Sequence, residues 1–193
     1  ISSRIGGTSS GQTYIKNSAH LPIATREGYV RYSTLSIKDT MEFSIPMNQF
    51  GIGCQPGQKP SYYATGYGRG VIVGDDIILT ADHVIDGATK FNIIFSDGTE
   101  IKNVRIVERD PYSDLAVLKC DVPDDLPVAE IADEQKPEGI FYVFGNKDYE
   151  AECRYDARGF WWCDSECTQG DSGGPIYNDK NELVGIVSGG SVW

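Results

Sequence analysis

Short apolar runs rich in β-branched residues alternate with turn sequences over most of this chain. The stretch GVIVGDDIILT predicts two strands joined by Gly74-Asp75-Asp76. KFNIIFSDGTEIKNVRIVERD predicts two more strands around the Asp97-Gly98 turn. Further strands are predicted in SDLAVLKC, GIFYVFG, AECRYDARGFWWC, GGPIYN and ELVGIVSGG. ADHVIDGA has room for one helical turn, and no long amphipathic helix is predicted, so the pattern favours an all-β barrel or sandwich.

The same pattern divides the chain into three parts. Residues 1–40 show no sustained period and predict an N-terminal extension or arm. The partial alternation of EFSIPMNQFGIG then predicts a possible strand at the start of a first β-unit, residues 41–122. The connector VPDDLP, near residue 123, introduces a second β-unit, residues 123–193.

Composition limits the classes of function. The 193 residues are 40% hydrophobic and 23% charged, which suits one domain or two packed halves. A net charge of −11 with scattered Lys and Arg disfavours nucleic-acid binding. No apolar run approaches the roughly 18 residues of a membrane span, so we expect a soluble protein. The chain starts at Ile1 without a secretory pattern, and we expect a product released from a longer precursor or trimmed.

TQGDSGGP, residues 168–175, presents a serine between an aspartate and two glycines. A serine nucleophile such as Ser172 needs a base, and the base needs an orienting group. The chain has two histidines. His20 lies in the irregular extension and is interpreted as a surface or packing residue. His83 follows a strongly apolar strand, where rigid elements hold functional loops, and is the candidate base.

Asp114 is the candidate orienting acid. It leads directly into an apolar strand, where an aspartate is costly unless another group pairs with it. Asp110 precedes a proline and is interpreted as a turn cap. Asp121, Asp124 and Asp125 lie in the polar connector and are interpreted as solvated charges.

The three segments LTADHV, DPYSDLAVLK and GDSGGP, in this order, resemble the trypsin-like (chymotrypsin-fold) serine endopeptidases. The stretch from GVIVGDD to LAVLKCD is most similar to the HtrA-type branch. The resemblance implies two packed antiparallel β-barrels of six strands, with His83 and Asp114 from the first and Ser172 from the second. The second barrel is predicted to be shortened, because the chain ends soon after GIVSGG, and the N-terminal extension is a candidate to fill the gap.

Family chemistry then implies the roles of the residues around the nucleophile. The N–H groups of Gly170 and Ser172 form the oxyanion hole. Asp171 helps to hold the loop. In activated trypsin-like enzymes the matching aspartate pairs with a new amino terminus, and SRIGGT, residues 3–8, is faintly similar to the family's activation sequence. It lies much too far upstream of His83 for that pairing to be expected here.

The resemblance also implies a substrate-binding set of five residues: Glu166, Thr168, Ser188, Gly189 and Gly190. The last three pair with the substrate backbone and edge the first pocket, while the first two line its opposite side. Two glycines leave room for a large side chain. The preferred side chain at the cleavage site is not fixed by these residues.

The five cysteines allow either a disulfide or a metal site. Cys153, Cys163 and Cys167 lie close together in sequence and predict one disulfide. With Cys54 or Cys120 they form the alternative, a structural zinc site such as a few viral relatives have. The C-x3-C spacing is weak evidence, so we expect no metal and no cofactor.

The predicted function is hydrolysis of peptide bonds in a polypeptide substrate through a His-Asp-Ser triad and an acyl-enzyme. Two alternatives stay open: a protease-like peptide-binding module, and a precursor that cuts itself once. The start without Met and the compact barrel favour processing of a viral polyprotein, with a bacterial or secreted source as the other option. The oligomeric state is not predicted.

Overall fold

A computed structural model describes residues 33–44, 61–133, 138–146, 148–155, 161–163 and 167–189. These residues are almost entirely β-structure, as predicted. The strands are β1 Thr34–Ser44, β2 Ser61–Gly74, β3 Ile77–Thr80, β4 Lys90–Ile94, β5 Glu100–Ile101, β6 Arg105–Asp110, β7 Leu115–Lys119, β8 Gly139–Phe144, β9 Asp148–Tyr155, β10 Trp161–Cys163, β11 Pro175–Tyr177 and β12 Leu183–Ile186. One helical turn, α1 Asp82–Ile85, interrupts them. No helix in this part of the chain is long and apolar enough to cross a membrane.

The first sheet has seven strands in the order β5-β4-β1-β2-β3-β7-β6. Its longest pairing is antiparallel and runs from Thr34↔Val71 to Ser44↔Ser61. Residues 34–40 of the predicted N-terminal extension therefore belong to this sheet. Residues 1–32 lie outside the described residues, so the idea that they complete the second barrel stays a prediction.

The hairpin predicted in GVIVGDDIILT is present as β2 and β3. Asp76 takes a left-handed conformation there, with φ of 61°. The stretch predicted to hold two strands around Asp97-Gly98 holds three. The chain changes partner within it, because β5 pairs with β4 while β6 pairs with β7.

The second sheet has five strands among the described residues, in the order β10-β9-β8-β11-β12. Ile131 adds a single parallel bridge to Leu183 beyond β12. The connector that precedes this sheet is less polar than its sequence indicated, since Leu126, Val128 and Ala129 are buried in a hydrophobic core formed by residues of both sheets. The division into units at residue 123 stays a prediction.

Arg69 of β2 provides a point of contact between the two sheets. The N–H of Arg69 donates to the carbonyl of Ser172 at 2.7 Å. The Thr80 hydroxyl donates to the carbonyl of Arg69 at 2.7 Å, and a Cβ on Gly173 would lie 2.0 Å from that same carbonyl oxygen. We call these contacts between Arg69, Thr80, Ser172 and Gly173 the junction. It brings the middle of the GDSGGP segment, residues 170–175, against the first sheet.

Candidate active site

His83 lies on α1, directly after β3. Its neighbour Asp82 is 4% exposed and accepts two hydrogen bonds from the guanidinium of Arg109 on β6, at 2.6 and 2.9 Å. Arg109 also donates to Asp86, at 2.6 Å. These bonds fasten both ends of the short helix to β6. The side chain of His83 is about half exposed to solvent.

Asp114 lies in the turn between β6 and β7 and holds His83 at two points. Its Oδ1 accepts the backbone N–H of His83 at 2.8 Å, and its Oδ2 lies 2.7 Å from Nδ1 of the imidazole. Asp114 has a φ of 55°, a left-handed conformation that costs about 1–3 kcal/mol away from glycine and is concentrated at functional sites. The second bond favours the tautomer with the proton on Nδ1, which leaves Nε2 as an acceptor.

This contact shifts the pKa values of both groups. The hydrogen bond to Asp114 raises the pKa of His83 above 6.5, although burial lowers it, and the charges of Asp114 and Asp82 add to the rise. For Asp114, burial raises the pKa, but the hydrogen bonds from His83 and Ser188 outweigh it and hold the pKa below 3.8. Asp114 is therefore anionic at neutral pH and stabilises a protonated His83.

Ser188 has a role that the sequence did not reveal. It was predicted to contact substrate, and the structure directs its hydroxyl to Oδ2 of Asp114. Its carbonyl oxygen accepts from Oγ of Ser172 at 3.5 Å. Ser188 thus links the candidate acid to the candidate nucleophile. It follows β12 of the second sheet, while Asp114 lies between β6 and β7 of the first sheet.

Ser172 lies in the loop before β11 and is partly exposed. Its carbonyl is held by Arg69 at the junction. Gly173, with φ of 85°, donates its N–H to the carbonyl of Val187 at 2.7 Å. No hydrogen bond joins Ser172 to His83 among the described residues; such bonds are often long before substrate binds. The site therefore brings the three candidate residues to one place, with Ser188 connecting them.

The loop before Ser172 is built around a buried carboxylate. Asp171 is 2% exposed and accepts the N–H groups of Asn146 and Thr168 at 2.7 and 2.9 Å. Gly170 lies in the turn between Thr168 and Asp171 and has a φ of 97°. Since only glycine adopts this conformation readily, the orientation of the Gly170 N–H depends on the residue being glycine.

The other predicted substrate residues divide into three groups. Thr168 is tied to Asp171 through its N–H and its hydroxyl, at 2.9 and 3.3 Å. Gly189 is exposed, with open space around its Cα. Glu166 and Gly190 lie outside the described residues. Their substrate contacts stay predictions.

The structure also locates Asp110 and the cysteines, to which the sequence analysis gave no catalytic role. Asp110 accepts the N–H of Ser113 at 3.2 Å. Hydrogen bonds from the side chain and then the backbone of Ser113 hold the pKa of Asp110 below 3.8, in keeping with a turn cap. Cys153 and Cys163 form a disulfide across the β9–β10 pair, which commits two of the cysteines of the alternative zinc site. Cys120 is buried, and burial raises the pKa of its thiol to about 11. In the described part of the chain no group of His, Cys, Asp and Glu is arranged to hold a metal.

Comparison with known sequences identifies the family. The trypsin-like peptidase domain matches residues 68–186. The periplasmic serine endoprotease DegP of Escherichia coli K12 is 30% identical over 166 residues, covering 74% of this chain and 34% of the relative. A probable DegP-like periplasmic serine endoprotease of Marinomonas sp. is 33% identical over 151 residues, covering 69% of this chain and 31% of the relative. The chain thus spans about a third of the length of these relatives.

Solved structures agree on the fold. The serine endoprotease from Yersinia pestis superimposes with a TM-score of 0.64 at 24% identity, covering 87% of this chain and 57% of that one. The HtrA-type protease AlgW with decapeptide gives a TM-score of 0.62 at 22% identity, covering 88% and 59%. The predicted chymotrypsin type of fold and the resemblance to the HtrA-type branch are both confirmed.

Proposed function

Since the chain belongs to the trypsin-like peptidase family, we propose that it is a serine endopeptidase with Ser172 as nucleophile, His83 as general base and Asp114 as orienting acid. The observation that carries this proposal is the double hold of Asp114 on His83, at 2.8 Å to the backbone N–H and 2.7 Å to Nδ1. A carboxylate that fixes both the position and the tautomer of an imidazole serves a base that must exchange protons at Nε2.

The chemistry follows from that arrangement. Ser172 Oγ attacks the peptide carbonyl, and its proton passes to Nε2 of His83. The tetrahedral intermediate collapses, the C–N bond breaks, and His83 gives the proton to the leaving amine. Water then attacks the acyl ester in the same way, which releases the acid product and restores Ser172. Asp114 stays ionised throughout and stabilises the imidazolium.

The same proposal assigns roles to the neighbouring backbone. The N–H groups of Gly170 and Ser172 donate to the developing oxyanion, and each such donor is worth about 3 kcal/mol of transition-state stabilisation. Ser188 and Gly189 provide an edge for the substrate backbone, and Thr168 lies on the opposite side of the pocket. Glu166 and Gly190 complete the predicted set.

The proposal also covers the cellular compartment in which the protein works and the kind of organism from which it comes. Disulfides persist in oxidising compartments, so the Cys153–Cys163 bond supports a periplasmic or secreted protein. The named relatives are bacterial and periplasmic and lend no support to the predicted viral polyprotein role. Cleavage of its own precursor remains part of the proposal, without a specific contact to carry it.

The first test is labelling by a fluorophosphonate, followed by intact mass. The wild-type protein should gain one adduct, and Ser172→Ala should gain none. The turnover of an unfolded protein substrate such as casein should fall by about 10⁶ in the same variant. A folded wild-type protein that gains no adduct contradicts the proposal and favours the peptide-binding alternative.

A second measurement separates multiple turnover from a single self-cleavage. The wild-type protein is mixed with a Ser172→Ala copy that carries an added tag. Cleavage of the tagged copy and of casein supports an enzyme acting in trans. Labelling without cleavage of either substrate supports the alternative in which the protein cuts itself once.

A further inference from the structure

Asp171 is a buried acidic residue in the loop that carries Ser172. Its carboxylate is 2% exposed, and an ionised carboxylate is costly to remove from water unless it is paired and hydrogen-bonded. Two backbone N–H groups, from Asn146 and Thr168, satisfy its two oxygens. These donors are neutral, and a positive charge nearby stabilises a buried carboxylate further.

Arg69 supplies that charge from β2 of the first sheet. Its Nε lies 3.6 Å from Oδ1 of Asp171, an ion-pair distance that is too long for a hydrogen bond. Its Nη2 donates to Oδ1 of Asn146 at 2.8 Å. The Arg69 side chain is 21% exposed, so water screens this pair less than it would a surface pair.

Asn146 carries the contact from Arg69 to the oxyanion loop. Its Nδ2 donates to Thr168 Oγ1 at 3.0 Å and to the carbonyl of Gln169 at 3.4 Å. The same nitrogen is the nearest atom to a Cβ built on Gly170, at 3.8 Å. The side chain of Arg69 therefore holds one side of the Gly170 turn through Asn146.

The backbone of Arg69 holds the other side, because its N–H donates to the carbonyl of Ser172. We propose that Arg69 is a positioning residue that keeps Asp171 buried and fixes the Gly170–Ser172 backbone as an oxyanion hole. In activated trypsin-like enzymes a new amino terminus pairs with the matching aspartate; here a side chain within the folded first sheet takes that place. The proposal rests on the proposed serine endopeptidase function. Arg69 itself touches no reacting atom.

Loss of the positive charge of Arg69 should change kcat and KM in different ways. Without Arg69 the Asp171 carboxylate is buried with no cation, and the loop relieves this by turning the carboxylate toward water. That movement carries the Gly170 N–H out of the hole. Since an oxyanion hole binds the transition state more tightly than the substrate, kcat should fall while KM changes little.

The experiment compares five variants in the full chain. Arg69→Met removes the charge at similar length, Arg69→Lys restores a charge without the planar fork, and Arg105→Met on exposed β6 is the matched control. Arg69→Met combined with Asp171→Asn removes both charges. Arg4→Gln blocks cleavage after the only arginine of SRIGGT. For each we measure the rate of fluorophosphonate labelling, kcat and KM on a peptide substrate, and the thermal midpoint.

We expect Arg69→Met to lose about 10²–10³-fold in kcat and in labelling rate, the loss typical of one oxyanion donor. Arg69→Lys should recover part of the loss. The double variant should exceed Arg69→Met in activity, because the unpaired buried charge is gone; a general loss of packing at position 69 would not be repaired by a change at Asp171. Arg4→Gln and Arg105→Met should match the wild type.

The outcomes separate the inference from the function beneath it. A wild-type protein that is not labelled refutes the serine endopeptidase proposal and this inference with it. Wild-type labelling together with equal rates in Arg69→Met and Arg105→Met overturns the role of Arg69 alone. If Arg69→Met does not fold, a double variant that folds yet is no more active than Ser172→Ala overturns it as well. Loss of activity in Arg4→Gln would assign the pairing to a released amino terminus instead.

Discussion

The glycine after the nucleophile provides a direct test of how the two sheets are joined. A Cβ on Gly173 would lie 2.0 Å from the carbonyl oxygen of Arg69 and 2.5 Å from Oγ1 of Thr80. Both atoms belong to the junction and neither is the end of a flexible chain. Gly173→Ala must therefore separate the GDSGGP segment from β2.

The size of the effect follows from the contacts that would be lost. Three hydrogen bonds of 2.7 Å hold this point: Arg69 N–H to Ser172 O, Thr80 Oγ1 to Arg69 O, and Gly173 N–H to Val187 O. Each contributes about 1 kcal/mol, and the left-handed conformation costs a residue with a Cβ roughly 1–2 kcal/mol. The free energy of unfolding should fall by about 4–5 kcal/mol.

Gly98→Ala is a closely matched control. Gly98 has φ of 86°, nearly the 85° of Gly173, but no atom lies within 4 Å of a Cβ built on it. It should show the conformational cost alone, about 1–2 kcal/mol. Urea unfolding of both variants measures the difference, with the slope m checked for two-state behaviour. Equal losses in the two variants would refute the view that Gly173 is required by the junction.

The remaining predictions concern the acid, its partner and the disulfide. Because Asp114 raises the pKa of His83 above 6.5, kcat/KM should fall as the pH drops through that raised value. Asp114→Asn should move the acid limb of the pH profile to lower pH and reduce kcat by about 10⁴-fold. An acid limb that does not move in this variant would contradict the prediction. Ser188→Ala removes a hydrogen bond to a charged group, worth about 1.5–3 kcal/mol, and should lower kcat by about 10- to 100-fold; wild-type kcat would show that the bond is dispensable. Reducing Cys153–Cys163, which closes a loop with a sequence separation of 10, should lower the free energy of unfolding by about 2–3 kcal/mol, and an unchanged urea midpoint would contradict it.

Local pattern was sufficient to predict much of the first sheet, but not its first strand. In TLSIKDT the buried positions alternate as Leu35, Ile37 and Asp39. An aspartate at the third inward position breaks the apolar alternation on which the sequence prediction depended. The pairing of β1 with β2 accommodates it, because Gly66 opposite has no side chain and a Cβ there would lie 2.5 Å from Oδ1 of Asp39. Burial raises the pKa of this carboxyl.

The candidate triad could be predicted because its residues lie in motifs with strong local signals, whereas its supports could not. Ser188 reaches Asp114 across 74 positions of sequence, and Arg69 reaches Asn146 across 77. A serine before two glycines and an arginine between two glycines carry no local mark of these partners. Only the packing of the two sheets brings them together, and single-sequence patterns do not specify that packing.

The same packing makes the site and the stability of the fold interdependent. His83 and Asp114 adjoin strands of the first sheet, while Ser172 precedes β11 and Ser188 follows β12 of the second sheet. Two of the hydrogen bonds that cross between the sheets, Arg69 to Ser172 and Ser188 to Asp114, lie at the centre of the candidate site. A small separation of the sheets would therefore move Ser172 away from His83 while each sheet kept its own hydrogen bonds. The geometry of the candidate site therefore depends on the bonds between the sheets as well as on the hydrophobic core that they share.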